Sequence, residues 1–105
     1  MNQVTIKVNP GGTYFIESIN TKTGKDWFRQ IFIDSKDVMT MRRFKDRKEF
    51  NHYLSGGIDK TLSVITDENE KLKVVKRIAV ILEEQRRLNN PTLKVEDFEA
   101  IGIDA

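Results

Sequence analysis

The sequence predicts an α+β fold in which a small antiparallel sheet, three to five strands from residues 3–65, packs against a long helix at residues 68–88. Three observations support this prediction. Apolar and polar residues alternate through much of the first half, as they do in half-buried strands. Glycine, proline and asparagine separate those segments at short intervals. After residue 66 the apolar residues recur every three or four positions, which is the period of a helix.

The first two strands are predicted to form a hairpin. Residues 3–8 alternate valine or isoleucine with polar side chains, so one face of the strand is buried. Pro10 followed by Gly11 suits the central positions of a type II turn. Residues 13–19 are rich in aromatic and β-branched side chains, and they predict the second strand.

Two further strands are predicted before the first helix. Residues 27–33 carry apolar side chains on both faces, which indicates a central strand. Residues 37–44 have two interpretations: Ser35 would cap a helix, whereas alternating side chains favour a fourth strand. We favour the strand, because Asp46 and Glu49 form a capping box that begins a new helix directly afterwards.

That new helix is predicted at residues 47–55, where a pair of glycines follows it. Residues 58–65 are compatible with a short fifth strand or with a lead-in to the long helix. Under either interpretation Leu62, Val64 and Ile65 are expected to be buried.

The long helix is predicted to start after Asp67, its N-cap, and to stop before Pro91. Its apolar side chains cover about half of its circumference, which is wide enough for two neighbours. They are Leu72, Val74, Val75, Ile78, Ala79, Ile81, Leu82 and Leu88. Residues 92–103 predict a short C-terminal helix that covers part of this arc. A second copy of the chain would cover the remainder, in a homodimer through the 68–88 helix.

Composition restricts the class of protein. A chain of 105 residues, 38% apolar and 32% charged, predicts a single compact domain that spans residues 1–105. No apolar run approaches the roughly 18 residues of a membrane span, and the N-terminus does not resemble a secretory signal. Because the chain has no cysteine, thiolate chemistry, disulfides and cysteine-ligated metals are excluded. We therefore expect a cytoplasmic protein without membrane contact.

Catalytic and metal-binding patterns are not found. His52 is the sole histidine, and Asp46 and Glu49 nearby do not complete a site of the kind that recruits several His or Cys ligands. Neither glycine pair has the spacing of a phosphate-binding loop, and no serine lies in a nucleophile-elbow context. The sequence predicts a protein that is not an enzyme and that uses no cofactor or metal ion.

The most distinctive local feature is a basic run at residues 42–48, with five cations and one acid in seven residues. An ordinary charged surface is one interpretation; a phosphate-binding surface is the other. The hairpin before the third strand would bring more cations to the same sheet, with Trp27, Tyr14 and Phe28 as candidate base-stacking rings. The predicted nucleic-acid contacts are Arg42, Arg43, Lys45, Arg47, Lys48, Lys22, Lys25, Arg29 and Trp27.

Two functions are therefore expected. The first is a small nucleic-acid-binding protein with little sequence specificity, consistent with 11 Lys and Arg against 7 Asp and Glu in residues 1–60. The alternative is a protein-interaction or inhibitor protein, of the type encoded by phages and other mobile elements, that binds a partner protein through its sheet edge or its acidic C-terminal segment. Affinity for oligonucleotides at two salt concentrations separates them, because phosphate binding weakens steeply with salt.

Overall fold

The fold is α+β, as predicted. A computed structural model describes residues 2–91 and 93–102. Its strands are β1 (Asn2–Val8), β2 (Tyr14–Asn20), β3 (Asp26–Ile33), β4 (Met39–Phe44) and β5 (Ser63–Val64). Its α-helices are α1 (Arg47–Leu54), α2 (Glu68–Arg87) and α3 (Val95–Ile101), and a 3-10 turn at Asp59–Thr61 precedes β5.

The five strands form one antiparallel sheet in the order β4-β3-β2-β1-β5. The strand interpretation of residues 37–44 is confirmed for Met39–Phe44. The predicted type II turn is wrong, because the backbone with positive φ is at Gly12 (85°) and not at Gly11. In a three-residue hairpin loop, the residue after the turn adopts a left-handed conformation. The conformational cost is small when that residue is glycine.

One face of the sheet, the α2 face, is covered by α2 and α3. Ile6, Ile16 and Ile31 contribute to its core, and each is fully buried. From the helices, Ile78 and Leu82 of α2 and the buried apolar residues of α3 complete the cluster. The alternation of β1 thus buries one half of that strand, as the sequence pattern predicted.

The opposite face, the α1 face, is smaller and aromatic. Phe28 and Phe44 pair across β3 and β4, and both rings lie about 5 Å from Phe50 of α1, at 5.1 and 5.2 Å between centroids. Phe15 and Leu54 complete the buried part of this cluster. Apolar side chains on both faces of β3 therefore have separate cores to fill, which confirms its central place in the sheet.

Both predicted helix caps are present. The Asp46 side chain accepts a hydrogen bond from the Glu49 N–H at 2.9 Å, and the Asp67 side chain accepts one from the Asn69 N–H at 2.8 Å. Each carboxylate satisfies a first-turn N–H that has no partner within its helix. The start of α1 after Asp46 and of α2 after Asp67 is therefore confirmed.

Three predicted core residues are exposed. Leu72 and Leu88 are 50% and 72% exposed, because each lies about 100° around α2 from the centre of the stripe that Ile78 and Leu82 bury. Val64 is 52% exposed, because β5 is a two-residue edge strand whose side chains project to solvent. The true buried arc of α2 is narrower than predicted.

The C-terminal helix is shorter than predicted. α3 spans Val95–Ile101 and ends at Gly102, whose φ is 85°; the predicted ends Thr92 and Ile103 lie outside the described residues. Phe98 and Ile101 are buried, so α3 docks on the α2 face. Among the described residues, no helix combines the length and apolar character that a membrane crossing requires.

Candidate functional site

Asp97 of α3 is fully buried and lies at the centre of a charged network on the α2 face. Its carboxylate accepts hydrogen bonds from the Trp27 indole Nε1 at 3.0 Å, the Arg29 Nε at 3.2 Å and the Arg43 guanidinium at 2.9 Å. It also accepts the Lys94 backbone N–H at 3.3 Å. Four donors around one carboxylate satisfy a charge that would be very costly to bury alone.

Arg29 completes the network. Its guanidinium also donates to Glu96 at 2.9 Å and to the backbone oxygen of Phe28 at 2.7 Å. Burial lowers the pKa of Arg29 from its ordinary value, and the neighbouring carboxylates of Asp97 and Glu96 oppose that change. Two arginines and two acids therefore join α3 to β3 and β4 in a nearly neutral group.

This network removes two predicted contacts from the surface. Trp27 is 5% exposed and Arg29 is 3% exposed, so neither is accessible to an oligonucleotide in this structure. Arg43 is partly covered and engaged with Asp97. The assignment of Trp27, Arg29 and Arg43 as nucleic-acid contacts is therefore not retained. The sequence held a signal for Asp97: it lies four residues after Leu93 and four before Ile101, on the apolar side of its helix.

Two other predicted arginines are engaged near the α1 face. Arg47 forms an ion pair with Glu17 and lies 4.0 Å from Asp26. The hydrogen bond that Arg47 donates to Glu17 raises the pKa of its guanidinium above the ordinary value. Arg42 is exposed, and its guanidinium lies 4.7 Å from the ring centroid of Tyr53. The positions of both arginines are set by intramolecular contacts.

The predicted lysines lie at one end of the sheet. Lys22 and Lys25 belong to the β2–β3 loop, where the Asn20 side chain accepts the Lys22 N–H at 2.9 Å and the Asn20 N–H donates to the Lys25 carbonyl at 2.9 Å. Lys45 and Lys48 flank the start of α1. These segments meet because Phe28, near the start of β3, pairs with Phe44 at the end of β4.

We call Lys22, Lys25, Lys45 and Lys48 the lysine end. All four are exposed, and none has an ion-pair partner within residues 2–91 and 93–102. The acids nearby are already engaged: Glu17 pairs with Arg47, and Asp46 caps α1. The lysine end is therefore a group of unpaired cations that a polyanion can approach.

Catalytic and metal-binding groups were also sought in the structure. In the described ranges, no three His, Cys, Asp or Glu side chains lie together in a way that could hold a metal ion. His52 lies exposed on α1. A cleft beside the lysine end is lined by Arg43, Lys45, Lys94, Glu49 and Glu96, among others. Because it mixes both signs of charge, it does not define one ligand.

The chain matches no protein-family model, and comparisons with curated proteins and with solved structures found no significant match. The class of protein is thus given by its architecture, a five-stranded antiparallel sheet with α2 and α3 on one face and α1 on the other.

Proposed function

We propose that this protein binds the phosphate backbone of nucleic acid at the lysine end, without enzymatic chemistry. The observation that carries the proposal is the position of two lysine pairs, Lys22 with Lys25 and Lys45 with Lys48, in segments at the same end of the neighbouring strands β3 and β4. Exposed lysines without an acidic partner attract phosphates, and their binding releases the counterions of the nucleic acid. This contribution to affinity does not depend on the base sequence.

The burial of the aromatic rings narrows this proposal. Trp27 and Phe28 are buried, and Tyr14 packs against the core of the α2 face, so none offers a free ring to a base. Stacking on aromatic side chains is what favours single strands in many proteins. We therefore propose contact with phosphates alone, and we expect double-stranded DNA to bind at least as well as single-stranded DNA of equal length, because its charge density is higher.

The test is the affinity of a fluorescent duplex at two salt concentrations, measured by anisotropy. The variant Lys22→Gln/Lys25→Gln/Lys45→Gln/Lys48→Gln removes the lysine end. The control Lys36→Gln/Lys60→Gln/Lys73→Gln/Lys76→Gln makes the same change in net charge at exposed lysines elsewhere. We expect affinity to fall about tenfold or more near physiological salt in the first variant and to change little in the control. Equal loss in both would show that net charge, and not the lysine end, drives binding.

The homodimer through α2 stays a prediction. Val80 is 67% exposed at the middle of α2, and its exposed neighbours include Lys73, Lys76 and Glu84. Sedimentation velocity at several concentrations tests it, with Val80→Asp as the variant that would disrupt such a contact. The alternative function, binding of a partner protein, is favoured by one specific feature, the uncovered edge of β4.

A further inference from the structure

β4 is the outermost strand on one side of the sheet. Within the described residues β3 is its single neighbour, and β4 runs for six residues, Met39–Phe44. On the other side of the sheet, β5 covers part of β1. An uncovered strand of this length presents backbone groups that can pair with another chain.

The hydrogen-bond pattern shows which residues of β4 turn outward. The Asp34 N–H donates to the Val38 carbonyl at 3.1 Å, in the register that pairs Phe32 with Thr40. In an antiparallel pair, every second residue directs both backbone groups to its neighbour. Thr40 therefore bonds to β3, and Met39 and Met41 direct their N–H and C=O groups away from the sheet.

The hydrogen bonds of the preceding hairpin, between β2 and β3, independently show which residues of β4 direct their backbone groups outward. The Asn20 N–H donates to the Lys25 carbonyl at 2.9 Å, which directs alternate residues of β3, Trp27 and Arg29 among them, toward β2. The residues between them, Phe28 and Gln30, then bond to β4. Both hairpins thus agree that the outward backbone groups of β4 include those of Met39 and Met41.

The two sides of this edge differ in chemistry. On the α2 face, the half-buried Met39, Met41 and Leu93 form the apolar part of a groove, and its remaining lining is polar, from Arg43, Gln85 and Asn90. On the α1 face, Arg42 is exposed and has no acidic partner among the described residues. A strand added here would place alternate side chains in the methionine groove and the others beside Arg42.

We propose that β4 binds an extended segment of a partner protein in which apolar and acidic residues alternate. Backbone pairing with Met39 and Met41 supplies affinity, the methionine groove receives the apolar side chains, and Arg42 pairs with an acid. Unbranched methionines adapt to apolar groups of different shapes, so the alternation matters more than the identity of each apolar residue. This inference does not depend on the proposed binding of nucleic acid.

The experiment uses a peptide of about seven residues that alternates leucine and aspartate, titrated into the full chain and followed by NMR and calorimetry. Met41→Pro removes an outward N–H while leaving the β3–β4 bonds in place, as proline does on edge strands. Met41→Leu is its control. Arg42→Glu reverses the charge at this position. A peptide that alternates leucine and lysine tests whether this variant binds a basic peptide in place of an acidic one.

We expect Met41→Pro to lower the affinity for the leucine–aspartate peptide by about tenfold or more and Met41→Leu to leave that affinity nearly unchanged. The Arg42→Glu variant should have a lower affinity for that peptide and should bind the leucine–lysine peptide instead. The lysine-end variant should bind the peptide as the parent does, which separates this proposal from nucleic-acid binding. Peptides N-methylated at alternate residues provide a second test that does not depend on Met41→Pro folding: methylation on the side toward β4 should abolish binding, and methylation on the other side should not.

Several results would overturn the proposal. One is unchanged peptide affinity in Met41→Pro together with tolerance of methylation on both sides. Another is the absence of binding by the parent at millimolar peptide. A third is a dimer of the parent that Met41→Pro dissociates, because the edge would then be occupied by a second copy of the chain.

Discussion

The Asp97 carboxylate accepts the indole N–H of Trp27 at 3.0 Å, although the two residues are 70 positions apart in the sequence. This bond, with those from Arg29 and Arg43, joins the C-terminal helix to the sheet. Asp97→Asn removes the charge that two arginines share, and we expect a loss of about 3 kcal/mol in the free energy of unfolding, because breaking a buried ion pair leaves uncompensated charge. Urea denaturation measures the loss.

Glu96→Gln is the matched control for that prediction. Glu96 also pairs with Arg29, but its side chain is 39% exposed, so the expected loss is below about 1 kcal/mol. Equal stability of the two variants would contradict the central place of Asp97 in the network.

The exposed and buried sides of α2 give a second prediction. Ile78 is fully buried, whereas Val80 is 67% exposed. Ile78→Asp places an unpaired carboxylate in the core and should cost several kcal/mol, whereas Val80→Asp should change the unfolding free energy by less than about 0.5 kcal/mol. Thermal melting distinguishes them, and coincident melting temperatures would show that α2 is rotated from its described orientation.

The strands and caps could be predicted from sequence because their signals are local. The period-2 pattern of β1 needs no knowledge of its partners, and the cap at Asp46 lies within one turn of α1. The candidate site was harder, because Trp27 and Arg29 have the composition of a nucleic-acid surface but are covered by a segment about seventy residues later. A local pattern does not indicate which distant helix will cover a strand.

Because part of the basic run is covered by α3, charge-reversal experiments must be restricted to its exposed residues. Arg43 lies in the basic run, but its guanidinium binds the buried Asp97, so Arg43→Glu would place two carboxylates together and destabilise the fold. Lys45 and Lys48 are exposed and belong to the same run. Charge can therefore be changed at Lys45 and Lys48 without disturbing the core.

Asp46 links stability to binding, which gives a third prediction. Asp46→Ala removes the cap of α1 and should cost about 1 kcal/mol, and it also removes an acid between Lys45 and Lys48, so oligonucleotide affinity should rise. Asp67→Ala removes the corresponding cap of α2 and should cost a similar amount without changing affinity. Tighter binding by both variants, or by neither, would contradict a local electrostatic effect at the lysine end.

The most direct test of the central claim is the salt dependence of duplex binding in two variants, Lys22→Gln/Lys25→Gln and Lys45→Gln/Lys48→Gln. If both segments of the lysine end contact phosphates, each pair should lower the slope of log affinity against log salt by roughly 2, because each phosphate contact contributes about 0.9. The control Lys73→Gln/Lys76→Gln on α2 should leave the slope unchanged. An unshifted duplex with the folded parent at low salt, or a slope that falls equally in the control, would contradict the account.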